Sequence, residues 1–135
     1  MTSGPEPDPP AGVGPHEGRE LALMLAGEKP LALFCDIVPS PYVWPDDRFA
    51  PHVATGRLVM WEYREPTPDG RHTVRWLYYA LPGEEWRIDR AHALRAVPGE
   101  EACTELGRLL GYREADIRAF VAWLTRTQSI ESQTT

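Results

Sequence analysis

Two runs rich in β-branched and aromatic residues, RLVMWEYRE from Arg57 to Glu65 and RHTVRWLYYAL from Arg71 to Leu81, flank the segment PTPDG. Such side chains suit a pleated surface, and Asp69-Gly70 supplies the backbone freedom of a tight turn, so the sequence predicts an antiparallel hairpin over 57–65 and 71–81. Along the second run Val74, Trp76, Tyr78 and Ala80 share one face, while Arg75, Leu77 and Tyr79 share the other. Neither face is simply polar. A chain carrying this hairpin must therefore cover both sides of it.

The covering elements can be read from spacing. Leu21, Met24 and Leu25 recur at helical intervals and stop at Gly27 and Pro30, which predicts a short N-terminal helix. LALFCDIV, Leu31 to Val38, is a continuous apolar run of strand length, read as a strand buried on both faces. Pro39, Pro41, Pro45 and Pro51 then oppose regular pairing, so 39–56 is expected to be a long ordered loop, its Tyr42, Val43, Trp44 and Phe49 arguing against disorder. PGEE at 82–85 predicts a turn, and WRID a further strand over 86–90 with Trp86 and Ile88 on one side. After Pro98 and Gly99, Ala102, Cys103, Leu106, Leu109 and Leu110 trace one helix face up to Gly111; Ile117, Phe120, Val121 and Leu124 trace a second. The expected fold is α+β: an antiparallel sheet of about four strands (31–38, 57–65, 71–81, 86–90), packed by an N-terminal helix and a C-terminal helical hairpin. The domain is expected over 17–128. Residues 1–16, with five prolines and almost no apolar side chains, read as a disordered tail, and 129–135 as a frayed end.

Charge and composition narrow the function classes. A formal net charge of -6 should repel a polyanion, and the seven arginines between Arg57 and Arg95 are interleaved with acids, so nucleic acid is not an expected partner. No run approaches the roughly 18 apolar residues of a spanning helix, and the N-terminus has no signal-peptide pattern, which makes cytoplasm the expected location and a membrane an unexpected partner. Cys35 and Cys103 lie far apart in different elements, fitting buried thiols better than a redox pair or a zinc knuckle. No metal or cofactor is expected. The preference for arginine, with Lys29 the sole lysine, is read as codon bias in a GC-rich genome.

Candidates for chemistry are Asp36, Asp46, Asp47, His52, Glu62, His72 and His92. Asp36 interrupts an apolar run, so it needs a partner or a place near solvent; a capping or ion-pairing role stands beside a catalytic one. Asp46 and Asp47 follow Pro45, as turn acids or as oxygen ligands for a hard cation. His52, if its loop folds back on the hairpin, would meet Glu62 as a base with its orienting carboxylate; otherwise it fills a half-buried position. His72 is read as exposed. His92 with His52 could ligate a metal, although the spacing is too wide to count as a signal.

The aromatic set is the strongest functional feature: Trp44, Trp61, Tyr63, Trp76, Tyr78, Tyr79 and Trp86. Trp and Tyr serve cores, ligand pockets and interfaces alike. One reading is a core under the helices. The other is an aromatic-lined pocket for a small organic ligand between the 39–56 loop and the hairpin, with Arg75 or Arg87 for an acidic group and His52 and Glu62 for acid/base catalysis. The alternative is a non-enzymatic module that docks a protein partner or a second copy of itself.

Overall fold

A computed structural model describes residues 18–119, 121 and 122. In chain order the elements are α1 (Glu20–Leu25), β1 (Leu31–Val38), α2 (Asp46–Ala54), β2 (Val59–Pro66), β3 (Thr73–Ala80), α3 (Trp86–Leu94) and α4 (Glu100–Leu109). A further helix, α5, is described over 114–119 and at 121 and 122. The fold is α+β, as the sequence predicts. The expected tail over 1–16, the frayed 129–135, and the stripe positions Phe120 and Leu124 lie outside the described residues.

Three strands form one antiparallel sheet in the order β1-β3-β2. The hairpin β2–β3 pairs from Val59↔Ala80 to Pro66↔Thr73, and β1 joins the far side of β3 from Leu31↔Ala80 to Val38↔Thr73. β3 is thus central, which is why Leu77, Tyr78, Tyr79 and Ala80 are almost fully buried. The two faces carry separate cores. Leu31, Tyr78 and Ala80 pack with Ile88, Ala91 and Leu94 of α3 and Ala102 and Leu109 of α4. On the reverse, Ala32, Phe34, Leu77 and Tyr79 pack with Met24 of α1 and Phe49 of α2. Helices therefore cover both sides, as the mixed faces of β3 require.

Two elements differ from the expectation. The run over 86–90 is the start of helix α3 and not a fourth strand. Ile88, Ala91 and Leu94 are its buried residues, spaced three apart, so the helical period becomes visible only beyond WRID. Gly83 turns the chain with φ 90°, and its N–H donates to the Glu85 carboxylate just ahead of the helix. The loop over 39–56 also contains a helix, α2, despite Pro51 in its interior. Asp46 and Asp47 sit in its first turn, where the helix dipole favours them. Its apolar anchor Phe49 is fully buried, stacked 4.1 Å from the Tyr79 ring. That burial outweighs one missing backbone bond.

The helical pair expected at the C-terminus packs through two close approaches. A Cβ on Gly107 would stand 3.0 Å from Ile117, and one on Gly111, whose φ is +85°, would stand 2.7 Å from the Pro30 ring. Beside that contact Lys29 is buried and its Nζ donates to the Leu110 carbonyl at 2.7 Å, satisfying the end of α4. Burial pulls its pKa down to about 8. The sole lysine is therefore a structural plug.

Candidate functional site

The aromatic residues singled out by sequence are divided between the two faces of the sheet, and no single pocket gathers them. On the face under α3 lie Trp61, Tyr63, Trp76 and Tyr78, because β2 and β3 set Tyr63 opposite Trp76 and Trp61 opposite Tyr78. The centre of this group is His92 from α3. Its ring stacks on Tyr63 at 3.6 Å and 8°, meets Trp76 edge-on at 5.4 Å, and its Nδ1 lies 3.0 Å from the Tyr78 hydroxyl. Tyr63 donates in turn to Asp89 Oδ1 at 3.0 Å, and Arg95 lies over Trp76 and pairs with Glu65 at 3.5 Å.

This geometry sets the imidazole tautomer. The Tyr78 hydroxyl is fully buried, and among the described residues its hydrogen-bond partner is His92 Nδ1. A buried hydroxyl proton without an acceptor is costly, so Tyr78 donates, Nδ1 accepts and the imidazole proton sits on Nε2. Burial, with Arg95 nearby, holds the His92 pKa below its ordinary value. Burial pushes the Tyr78 hydroxyl well up, so it stays protonated. The result is a neutral, oriented histidine in an aromatic frame. His92 ends up more tightly held than any other candidate histidine, and sequence reasoning gave it little weight. Its signal was Asp89, His92 and Arg95 at three-residue spacing, which is legible only once α3 is known to be a helix.

The opposite face holds Arg75 and Glu62. Arg75 is 7% exposed; its two terminal nitrogens grip Asp46 at 2.9 and 2.8 Å, and its Nε donates to Glu62 at 3.0 Å. Glu62 also accepts from Arg64 at 2.7 Å, and the Trp44 ring lies 4.6 Å from the Arg75 guanidinium. The hydrogen bonds from Arg75 hold the carboxyls of Asp46 and Glu62 below their usual range. This network ties the start of α2 and the segment before it to the sheet. Arg75 is therefore fully engaged, while Glu62, held by two arginines, keeps its side chain 30% open to solvent at the sheet edge.

No hydrogen bond joins His52 to Glu62. His52 is half-buried in α2, where its carbonyl accepts from Arg57 and Leu58. Asp36 lies in the more open half of β1 and accepts from the Ile37 N–H, and Asp47 and Trp86 are exposed. The Trp86 indole donates to Glu84 at 3.1 Å, and the Arg87 guanidinium lies over its ring. Cys35 is exposed, against the expectation of a buried thiol, because its end of the edge strand is open; Cys103 is half-buried. His72 is partly buried at the hairpin turn. Among the described residues no three His, Cys, Asp or Glu side chains form a metal-binding group, and no helix is long and apolar enough to cross a membrane.

A cleft of ≈ 380 Å³ lies at the outer side of β1, between Phe34 and Cys35 of the strand, Tyr42, Val43 and Arg48 of the following segment, and Tyr112. Arg48 makes no side-chain ion pair among the described residues. On the surface away from the cleft, Trp61 and Trp86 are each 56% exposed. No family model, curated protein or solved structure matches the chain.

Proposed function

We propose that this protein is a non-enzymatic interaction module whose contact surface lies along the outer edge of β2. The observation that carries this reading is the exposure of Trp61 on an unpaired edge strand. β2 has β3 on one side only, and most of its residues are open to solvent. A tryptophan over half exposed on such a strand leaves a large apolar area in water, the signature of a surface that a partner covers. Met60 is also exposed on β2, and Tyr63 stands half-buried behind Trp61. Tyr63, Trp76, Tyr78 and His92 pack on one another, which supports a role as framework behind that surface.

The test is tryptophan emission and acrylamide quenching of dilute protein, compared with Trp61→Phe and Trp86→Phe. Red-shifted, readily quenched emission that falls in these variants supports the reading. Blue-shifted emission protected from quencher in the wild type would remove its basis.

A second reading, a site for a small organic acid, is favoured by the cleft beside β1. It would offer tyrosine and phenylalanine rings to an apolar body and the Arg48 guanidinium to a carboxylate. Trp44 stands 4.9 Å from Tyr42, so a ligand screen read by fluorescence, repeated with Arg48→Ala, tests it. Saturable changes lost in that variant support the site; an unchanged spectrum across aromatic and aliphatic acids counts against it.

A further inference from the structure

We propose that the partner on β2 is a second copy of this chain, the two β2 strands pairing antiparallel with Tyr63 on the two-fold axis so that two three-stranded sheets become one. This inference rests on the interaction reading above and names its partner.

The backbone pattern identifies the groups available for pairing. The Thr67 N–H donates to the His72 carbonyl, so Thr67 and His72 are a hydrogen-bonded pair, and by alternation Glu65, Tyr63, Trp61 and Val59 point their backbone groups at β3. The Leu81 N–H donates to the Pro30 carbonyl, which gives the complementary phase on the β1 side of β3. Met60, Glu62 and Arg64 consequently direct their N–H and C=O groups outward along the free edge.

Charge selects the register. Self-pairing in this phase must set the outward residues opposite one another. With Tyr63 on the axis, Glu62 lies opposite Arg64 of the second copy, and Arg64 opposite its Glu62, each pair exchanging both backbone bonds. Met60 donates to Pro66 of the second copy, which has no N–H to return. On the other face the two Tyr63 rings adjoin and Trp61 lies opposite Glu65. The neighbouring registers put Glu62 opposite itself or Arg64 opposite itself, the next one sets Glu62 against Met60 and Arg64 against Leu58, and none of these opposes unlike charges. Cross-strand pairs of opposite sign favour a register and like pairs disfavour it.

The other edge is less free. On β1 the outward groups belong to Leu31, Leu33, Cys35 and Ile37. Leu31 is fully buried, while Cys35 borders the cleft. β1 also carries no pair of opposite charges.

The experiment is sedimentation of the full chain in reductant, which keeps exposed Cys35 from forming disulfides, from low micromolar to near-millimolar concentration at low salt. The expected result is a concentration-dependent dimer. Arg64→Glu should raise its dissociation constant by roughly tenfold or more while leaving the circular dichroism unchanged, and Arg64→Lys should retain it. Should Arg64→Glu fail to fold, Arg64→Gln, which removes only the charge, gives a smaller weakening in the same direction. A monomer throughout, or a dimer indifferent to Arg64, overturns the proposal. A monomer whose Trp61 is readily quenched leaves the interaction reading intact and removes only the second copy; a monomer with Trp61 protected removes both.

Discussion

The face of the sheet under α1 and α2 buries a guanidinium, whereas the face under α3 and α4 holds a neutral imidazole among aromatic rings. Arg75 on the first face is bound by Asp46 and Glu62, which come from α2 and β2, so the charge network spans two elements that the sequence separates. His92 on the second face is bound by Tyr78 from below and stacked by Tyr63 from the side. Both devices fix a helix to the same sheet. They differ in what breaks them: an ion network fails when one charge is removed or neutralised, and an aromatic clasp when its ring is lost or its imidazole becomes charged.

The largest effect expected is for Arg75→Met. It strands the partly buried Asp46 carboxylate and leaves Glu62 to Arg64 alone. Because both acids retain some solvent contact, the cost should fall at or just below the lower end for a broken buried pair, about 2–3 kcal/mol in urea unfolding. A loss below about 1 kcal/mol would place the strength of this face in Phe49 and Tyr79 instead. Next in size is Tyr78→Phe, which removes only the hydroxyl. It should cost about 1 kcal/mol and move the His92 pKa, followed by NMR, upward toward its ordinary value, since Nδ1 loses its donor. A downward shift would contradict the assigned tautomer.

Acid titration separates the two faces. His92 has a depressed folded-state pKa, so the unfolded chain binds its proton first; the contribution is complete above about pH 6.5 and is lost as pH falls below that, at under about 1.4 kcal/mol per pH unit. Asp46 and Glu62 are also depressed, and their contribution should persist until pH falls through and below about 4. His92→Phe should remove the first decline and leave the second. The smallest effect is for Trp61→Ser on the monomer, expected within about 0.5 kcal/mol because its ring is largely in water; a larger loss would make Trp61 part of the aromatic clasp.

Much of this arrangement was legible in the residues. The hairpin showed itself through its turn and its two mixed faces, and those faces required covering layers on both sides. The strand at 31–38 and the helical pair around Gly111 followed from apolar runs and spacing. The strand is not buried on both faces as its apolar run suggests, however: it is an edge strand whose second half, from Cys35 on, is partly open. The helix at 86–94 was hidden because four residues, WRID, fit a period of two as well as a helical turn. Prolines concealed α2, where Phe49 burial overrides propensity. The candidate site was less legible still. Sequence named the right aromatic residues but could not apportion them between faces, and it joined His52 to Glu62 where tertiary packing gives Glu62 to two arginines. His92 acquires its setting only through a helix crossing the sheet, and no local pattern encodes that.

The most direct measurement of the β2 account is amide hydrogen exchange by NMR across a dilution series. Trp61, Tyr63 and Glu65 should be protected by β3 at every concentration, while Met60, Glu62 and Arg64 exchange rapidly in dilute protein and become protected together as concentration rises. Exchange at Met60, Glu62 and Arg64 that stays equally fast at all concentrations would contradict pairing along this edge.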